Sequence, residues 1–367
     1  MHVPMIDLVR IYSDLKEEID ATIARVIDHS SFILGEEVAA FEREFASFLG
    51  VEYAVGVGSG TDAITFALSA LDVAHGDEVI TTALSAFPTA EAILRSGATP
   101  VYVDIDPNTY SIDPDCIRAA ISSRTKAIVP VHLYGLPAMI TDIRQIADNH
   151  GLFVVEDCCQ AHGAQYLSQH VGTFGEAGCF SFFPSKNLGA MGDGGLLVTN
   201  DEKIADKVRM LRDHGRKDRY SHLYVGYNSR LSGLQAAILR AKLVHLERYN
   251  EQRQAIGSYY NNALDSEQNF RLHRSPSLSI EHVYHLYVIR VCGAQRRDSL
   301  VAHLASRSIQ TNIHYPIPLH HQPAHRTHAK LPVAERAVDE ILSIPLFPLM
   351  RRDEMQYVVE ALKEWRG

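Results

Sequence analysis

Lys186 stands where a lysine is costly. It lies within CFSFFPSKNLGAMGDGG (179–195), between an apolar, aromatic run and a cluster of four glycines. Such a run followed by glycines predicts a buried strand ending in a tight loop. An ammonium group is expensive to desolvate there. Desolvation is also what turns a lysine into an amine able to condense with an aldehyde. A surface-loop lysine is the plainer alternative, so the neighbours decide. VVEDCCQAHGA (154–164) ends another apolar run in Glu156 and Asp157, and Asp157 precedes Lys186 by 29 residues. A carboxylate at the carboxyl end of a strand is placed to hold a protonated ring nitrogen, although helix capping is the commoner task of an isolated aspartate. Gln160 and His162 follow, within reach of the same ligand. GVGSGTDA (56–63) offers backbone N–H groups at a helix start, an anion site. It is not the dinucleotide fingerprint, because Thr61 occupies the third glycine position and no acid is well placed about twenty residues on. An aldehyde-binding lysine, a carboxylate for a pyridinium and an anion cradle are together what pyridoxal 5'-phosphate requires.

The elements that must position these groups are legible as an alternation. Strands are expected at 53–57, 77–82, 100–105, 126–135 and 152–157, with helices at 61–71, 88–97 and 141–151 between them. A further helix is expected over 36–49, where Val38, Phe41, Phe45 and Phe48 recur at helical spacing. Strands that are apolar throughout predict a mostly parallel sheet covered on both faces. Residues 179–183 and 195–200 add two strands without an obvious helix between them. A helical pattern then runs unusually far, from Leu231 to about Leu264. Beyond it come a strand (283–291), a helix (297–306), a proline- and histidine-rich loop (312–332) and a final helix (352–364). The expected fold is α/β, with a large domain over 1–245 and a small α+β domain over 246–367.

Composition narrows the classes. The chain has 367 residues, 46% hydrophobic and 22% charged, with a formal charge of −9 and a pI of about 6.1. No basic footprint for nucleic acid is expected. No apolar run reaches the ~18 residues of a membrane span, and the charged N-terminus does not read as a signal peptide. Five cysteines match no zinc spacing, and reduced thiols in a cytoplasmic protein are the simplest account. Cys158 lacks an evident base and is expected to pack. His314, His320, His321, His325 and His328 crowd one proline-broken loop, but no metal is expected there. Arg216, Lys217 and Arg219 read as a solvated face, with contact to nucleotide phosphates as the alternative.

EDCCQAHGA, SFFPSKNLGAMGDGG, LRDHG (211–215), GYNSRLSGLQAAILRAKL (226–243), IHYPIPLHHQP (313–323) and SIPLFPLM (343–350) occur in family order. Through them the chain, from about Ile6 to its C-terminus, resembles the DegT/StrS family of nucleotide-sugar aminotransferases. The resemblance implies a fold type I pyridoxal-phosphate enzyme working as a homodimer with shared active sites. Lys186 would tether the cofactor, Asp157 would hold the pyridine nitrogen, and Gln160 would lie at the ring hydroxyl. Ser181 and the backbone of Gly60 and Thr61 would bind the phosphate, completed by Asn228 of a second copy. Arg230, His314 and Tyr315 would approach the nucleotide sugar, again from the second copy. An aromatic commonly covers the ring in the stretch matching LSAFPTA (84–90); that register gives Ala86, and Phe87 beside it is the candidate. The residue after NSRL is Ser232, where an acid is common.

The implied reaction moves an amino group from L-glutamate to a nucleotide-linked ketosugar in two half-reactions. It would serve the making of unusual amino sugars, as in lipopolysaccharide O-antigens or antibiotics. FPSKNLGAMGDGG with IHYP resembles members that aminate C3 of a dTDP- or UDP-linked sugar. Amination at C4 of a 4-ketosugar is the alternative, and a non-catalytic regulatory protein a further one. Related sugar 3-dehydratases replace the lysine with histidine, so Lys186 argues against that activity.

Overall fold

The computed structural model describes residues 1–293 and 296–367. Its strands, in chain order, are β1 (Tyr53–Val57), β2 (Glu78–Thr82), β3 (Thr99–Val103), β4 (Thr125–Val129), β5 (Phe153–Asp157), β6 (Gln165–Tyr166) and β7 (Gln169–His170). They continue with β8 (Ala177–Ser181), β9 (Gly195–Thr199), β10 (Phe270–Leu272), β11 (Ile280–Glu281), β12 (Tyr287–Val291) and β13 (Ile341–Ile344). Seven of them form one sheet in the order β1-β9-β8-β5-β4-β2-β3. β2 pairs in parallel with β3 and β4, β4 with β5, and β5 with β8. β9 returns antiparallel to β8 and pairs antiparallel with β1. The missing helix between 181 and 195 accounts for this reversal, because a parallel return would need a crossover. The loop that replaces it carries Lys186.

Burial on both faces gives two cores. One gathers Val55, Val57, Ile64, Phe66, Val129, Val155 and Leu197. The other gathers Phe41, Phe45, Phe180, Phe182 and Leu239. A separate three-stranded sheet, β10-β12-β13, is antiparallel and holds its own core of Tyr260, Tyr287, Ile289, Leu342 and Trp365.

Three expectations change here. The long helix is two, Gly233–Leu243 and Leu246–Leu264. They break at Val244 and His245 because the first half packs on helices Lys16–His29 and Glu36–Leu49, whereas the second packs on helix Arg352–Glu364. The strand expected over 283–291 begins only at Tyr287. Its first residues turn away, with the Val283 and Leu286 N–H groups bonded to the carbonyls of Gly135 and Tyr134. The N-terminal arm, expected with the large sheet, sits on the smaller one. Val3 bridges to Ile309, and Arg10 donates to both carboxylate oxygens of Glu354 at 2.8 and 2.9 Å.

Candidate active site

β5 ends in two carboxylates that point to opposite sides of the sheet, as successive strand residues must. Glu156 is fully buried away from the cavity. One of its oxygens accepts from the N–H groups of Phe174 and Gly175, and the other from Gly172 N–H and His132 Nε2 at 2.9 Å. The Nδ1 atom of His132 accepts from Ala138 N–H, which leaves the proton on Nε2. Glu156 therefore anchors a loop. Asp157 faces a cavity of about 250 Å³ at the carboxyl ends of the strands. Its Oδ2 accepts from Thr89 Oγ1 at 2.8 Å, and Thr89 is itself bonded to Ser85. Its Oδ1 accepts from the backbone of Cys159 at 3.1 Å.

The same cavity is lined by Ser59, Gly60, Thr61, Gln160, Ser181 and Lys186. Helix Gly60–Ala70 starts at its edge, capped by the Ser59 hydroxyl, which accepts from Asp62 N–H. The N–H groups of Gly60 and Thr61 find no acceptor among the described residues, so they remain for an anion beside the Ser181 hydroxyl. Gly60 is required by contact. A Cβ there would lie 2.7 Å from both Ser181 Cβ and Cys159 Sγ.

Lys186 is half-buried in the turn after β8, where its N–H bonds to Phe183 O. Burial lowers its pKa below the ordinary lysine value, while the Cys159 thiol and the Asp157 carboxylate pull it back up. The result is an amine easier to deprotonate, close to a carboxylate that does not bond it. Gln160 is spent on both ends. Its Oε1 accepts from Tyr134 N–H at 2.8 Å and its Nε2 donates to Tyr315 Oη at 2.9 Å. Tyr134 holds a left-handed backbone (φ 60) to aim that N–H, and its hydroxyl donates to His314 O. His314 Nδ1 lies 2.8 Å from Ser343 Oγ, and burial, with Lys186 nearby, lowers its pKa to about 4.

Tyr315 and, through Tyr134, His314 are therefore tied to Gln160 of their own chain, behind the cavity wall, rather than reaching the site of a second copy as expected. The segment 312–315 is carried there by its pairing of Asn312 with Ser343 on β13. Asn228 and Arg230 do lie outside this cavity. Asn228 is exposed, and Arg230 bonds to Asp213 at 2.7 Å and to Asn228. Phe87 is a second correction. It packs against Ala90, Tyr102 and Leu319, while Ala86, Pro88 and Val131 line the cavity. Helix Phe87–Arg95 begins at Phe87, and the rotation of its first turn sends that ring to the far side. His162 is a third. It is buried against Phe180 and Phe182, with its pKa lowered to about 3 by that burial, and does not line the cavity.

Thr89, Ser85 and Asp193 belong to the site and carry no signal of their own in the sequence, although Thr89 falls within the LSAFPTA stretch. Cys158 packs in a core, as expected. His320 and His321 gather with Glu335 outside the cavity, where His320 Nε2 lies 3.2 Å from Glu335 Oε1. Among the described residues no helix is long and apolar enough to cross a membrane.

The cavity thus offers an amine, a carboxylate at its floor and a pair of free N–H groups at its rim. A model of the DegT/DnrJ/EryC1/StrS aminotransferase family matches residues 13–363. The chain is 46% identical to a pleiotropic regulatory protein of Geobacillus stearothermophilus, with 100% of this chain and 99% of that one covered. It is 45% identical to a UDP-N-acetyl-3-dehydro-alpha-D-glucosamine 3-aminotransferase of Acidithiobacillus ferrooxidans, with 98% and 97% covered. Among solved structures, DesV of S. venezuelae in complex with a ketimine intermediate superposes with a TM-score of 0.96 at 41% identity, over 99% of this chain and 98% of that one.

Proposed function

The chain belongs to the DegT/DnrJ/EryC1/StrS aminotransferase family, and from that premise we propose that it transfers an amino group from L-glutamate to C3 of a nucleotide-linked 3-ketosugar, using pyridoxal 5'-phosphate. The observation that carries this is the convergence of Lys186, Asp157, Ser181 and the start of helix Gly60–Ala70 on one cavity. The groups fit the cofactor. The free N–H groups and Ser181 suit its phosphate, Gly60 leaves room for it, and Asp157 suits its ring nitrogen. When bound, it supplies an aldehyde for an amine and a ring that accepts electrons.

The residues' own tasks follow. Lys186 anchors the cofactor and, once displaced by the donor amine, its free Nζ moves the proton from the donor's Cα. Its lowered pKa favours the deprotonated amine that this needs. Asp157, held by Thr89 and the Cys159 backbone, keeps a proton on the ring nitrogen. Gln160 is fixed by Tyr134 and Tyr315 at the ring's edge. The reaction closes when the ketosugar takes the amino group in the reverse sequence. His314 and Tyr315 face the sugar from the same chain, and Asn228 and Arg230 reach it from a second copy. The exposed Phe32, Ile33, Leu223 and Val225 lie near Asn228 and Arg230 along the chain or across a strand bridge, and they support such a homodimer. We assign residues 1–245 to the cofactor-binding domain and 246–367 to the smaller one, except for the N-terminal arm.

C3 is favoured over C4 because the A. ferrooxidans relative is named for the 3-position. One relative bears a regulatory name, but the complete set around Lys186 supports catalysis. The test uses purified protein with pyridoxal 5'-phosphate. It should turn yellow, bleach with L-glutamate while releasing one equivalent of 2-oxoglutarate per site, and release 2-oxoglutarate continuously only while a 3-ketosugar is supplied. A colour that survives Lys186→Ala overturns the tether. Products aminated only at C4 across dTDP-, UDP- and GDP-linked ketosugars overturn the C3 assignment. Mixing Lys186→Ala with Arg230→Ala protomers should restore activity if sites are shared.

A further inference from the structure

The lysine loop and the Asp157–Gln160 segment leave neighbouring strands, paired at Asp157 and Cys179, where Cys158 N–H donates to Cys179 O at 2.8 Å. Past those strand ends, one side chain from outside both motifs ties the two segments again. Asn250, on helix Leu246–Leu264, is 5% exposed. Its Nδ2 donates to His162 O at 2.8 Å, two residues after Gln160. Its Oδ1 accepts from Asn187 Nδ2 at 2.9 Å, one residue after Lys186. Asn187 Nδ2 also donates to Val283 O at 3.0 Å, and its Oδ1 lies 3.3 Å from His285 Nδ1. Gly163, in a left-handed conformation (φ +82), keeps the space free, since a Cβ there would lie 2.8 Å from Asn250 Nδ2.

Two further ties run along the same face. The Oε1 of Gln235 accepts from Met191 N–H at 2.7 Å, and Lys242 Nζ donates to Gly189 O. Positions 235 and 242 are seven residues apart, which keeps them on one side of helix Gly233–Leu243. The far end of the lysine loop is thus bolted to the helices, and among the described residues of the two helices only Asn250 also bonds the Asp157 side.

We propose that Asn250 and Asn187 are positioning residues which set the reach of Lys186 relative to Asp157 and Gln160. The proposal rests on the cofactor assignment above. Lys186 Nζ must meet one carbon of a ring whose opposite end is held by Asp157, and a misplacement of about 1 Å can cost on the order of a hundredfold in rate. Neither asparagine touches the cavity, so neither is a catalytic residue.

The experiment has two arms. In the apoprotein, hydrogen exchange reports each grip separately. Asn250→Ala should speed exchange at least tenfold at the Lys186 and Ala190 amides and at those of Ala161 and Ala164, while β4 and β5 stay protected. Asn187→Ala should loosen only the lysine side. Asn250→Asp keeps the acceptor for Asn187 and loses the donor to His162, so it should loosen only 161–164; it also serves if Asn250→Ala fails to fold. In the loaded enzyme, Asn250→Ala or Asn250→Asp should lower kcat tenfold or more with KM for the ketosugar within twofold. Uniform loosening of the whole fold, or unchanged exchange in both segments, overturns the proposal. So does a full kcat in either variant of a wild-type enzyme that colours and turns over. If the wild type takes no colour with pyridoxal 5'-phosphate, the cofactor assignment fails instead, and the exchange pattern still judges the pair.

Discussion

Replacing Glu156 by Gln tests whether the two adjacent carboxylates have separate tasks. Glu156 accepts four donors, two at each oxygen, the Gly172 and His132 pair buried and the Phe174 and Gly175 pair partly so. A glutamine amide keeps one acceptor oxygen and turns an NH₂ group toward the other pair. At best two donors stay satisfied, and two are left opposed. An unsatisfied buried donor costs about 1–3 kcal/mol, so the expected loss is about 2–6 kcal/mol. That is a large share of the ~5–15 kcal/mol that holds an ordinary domain. Asp157→Asn is the contrast. Its carboxylate is held by one hydroxyl and one backbone N–H, and an amide oxygen can keep one of them, so the expected loss is about 1 kcal/mol. Urea unfolding of the apoproteins measures both. Cofactor binding and transamination should show the reverse order, with Asp157→Asn abolishing turnover and any folded Glu156→Gln retaining it. A stability loss below about 1 kcal/mol for Glu156→Gln, or turnover retained by Asp157→Asn, would refute the division.

Other outcomes are as direct. Gly60→Ala drives a methyl group into Ser181 and Cys159, so the cofactor Kd should rise at least tenfold with the circular dichroism unchanged; unaltered binding would contradict the cradle. Burial lowers His162 to about 3 and His273 to about 4, while both sit near 6.5 when unfolded. For a base with a depressed folded pKa, that stability is fully present above about pH 6.5 and is lost as pH falls toward 4. At pH 5 each of the two should contribute about 2 kcal/mol of destabilisation, and a Tm equal at pH 7 and pH 5 would count against it. Arg10→Ala leaves Glu354, with a side chain only 2% exposed, without its bidentate partner. Urea unfolding should register about 2–4 kcal/mol, and a loss under 0.5 kcal/mol on that order-of-magnitude scale would mean the N-terminal arm is not seated.

Much of the site is legible because its chemistry needs rare residues at strand ends. A lysine after an apolar run, an aspartate ending another, and glycines before a helix each announce themselves. The partners that hold them do not. Thr89 reads as an ordinary residue in a first helical turn, yet it bonds Asp157. Phe87 is the natural aromatic candidate in that stretch, but one step along a starting helix turns a side chain by about 100°, and Ala86 and Pro88 take the wall instead. Spacing could not tell which copy supplies Tyr315, because its tie to Gln160 spans 155 residues. The antiparallel pairing of β8 and β9 was implicit in the absence of a helix between them, whereas the break at Val244 follows from packing on two different layers.

The docking of the N-terminal arm bears on synthesis at the ribosome. Arg10 meets Glu354 across 344 residues, so helix Leu8–Asp14 makes this ion pair only after helix Arg352–Glu364 has been synthesised. The strands of the large sheet are all made by Thr199, and N-terminal portions generally fold first during translation. The lysine and its aspartate can thus be in place while Tyr315, Ser343 and the arm's own partner are still untranslated. A chain stalled before Ile238 and Tyr249 would expose Ile11 and Leu15, which cluster with those residues in the finished protein. Completion of helix Arg352–Glu364 is therefore the event that pairs Arg10 with its carboxylate.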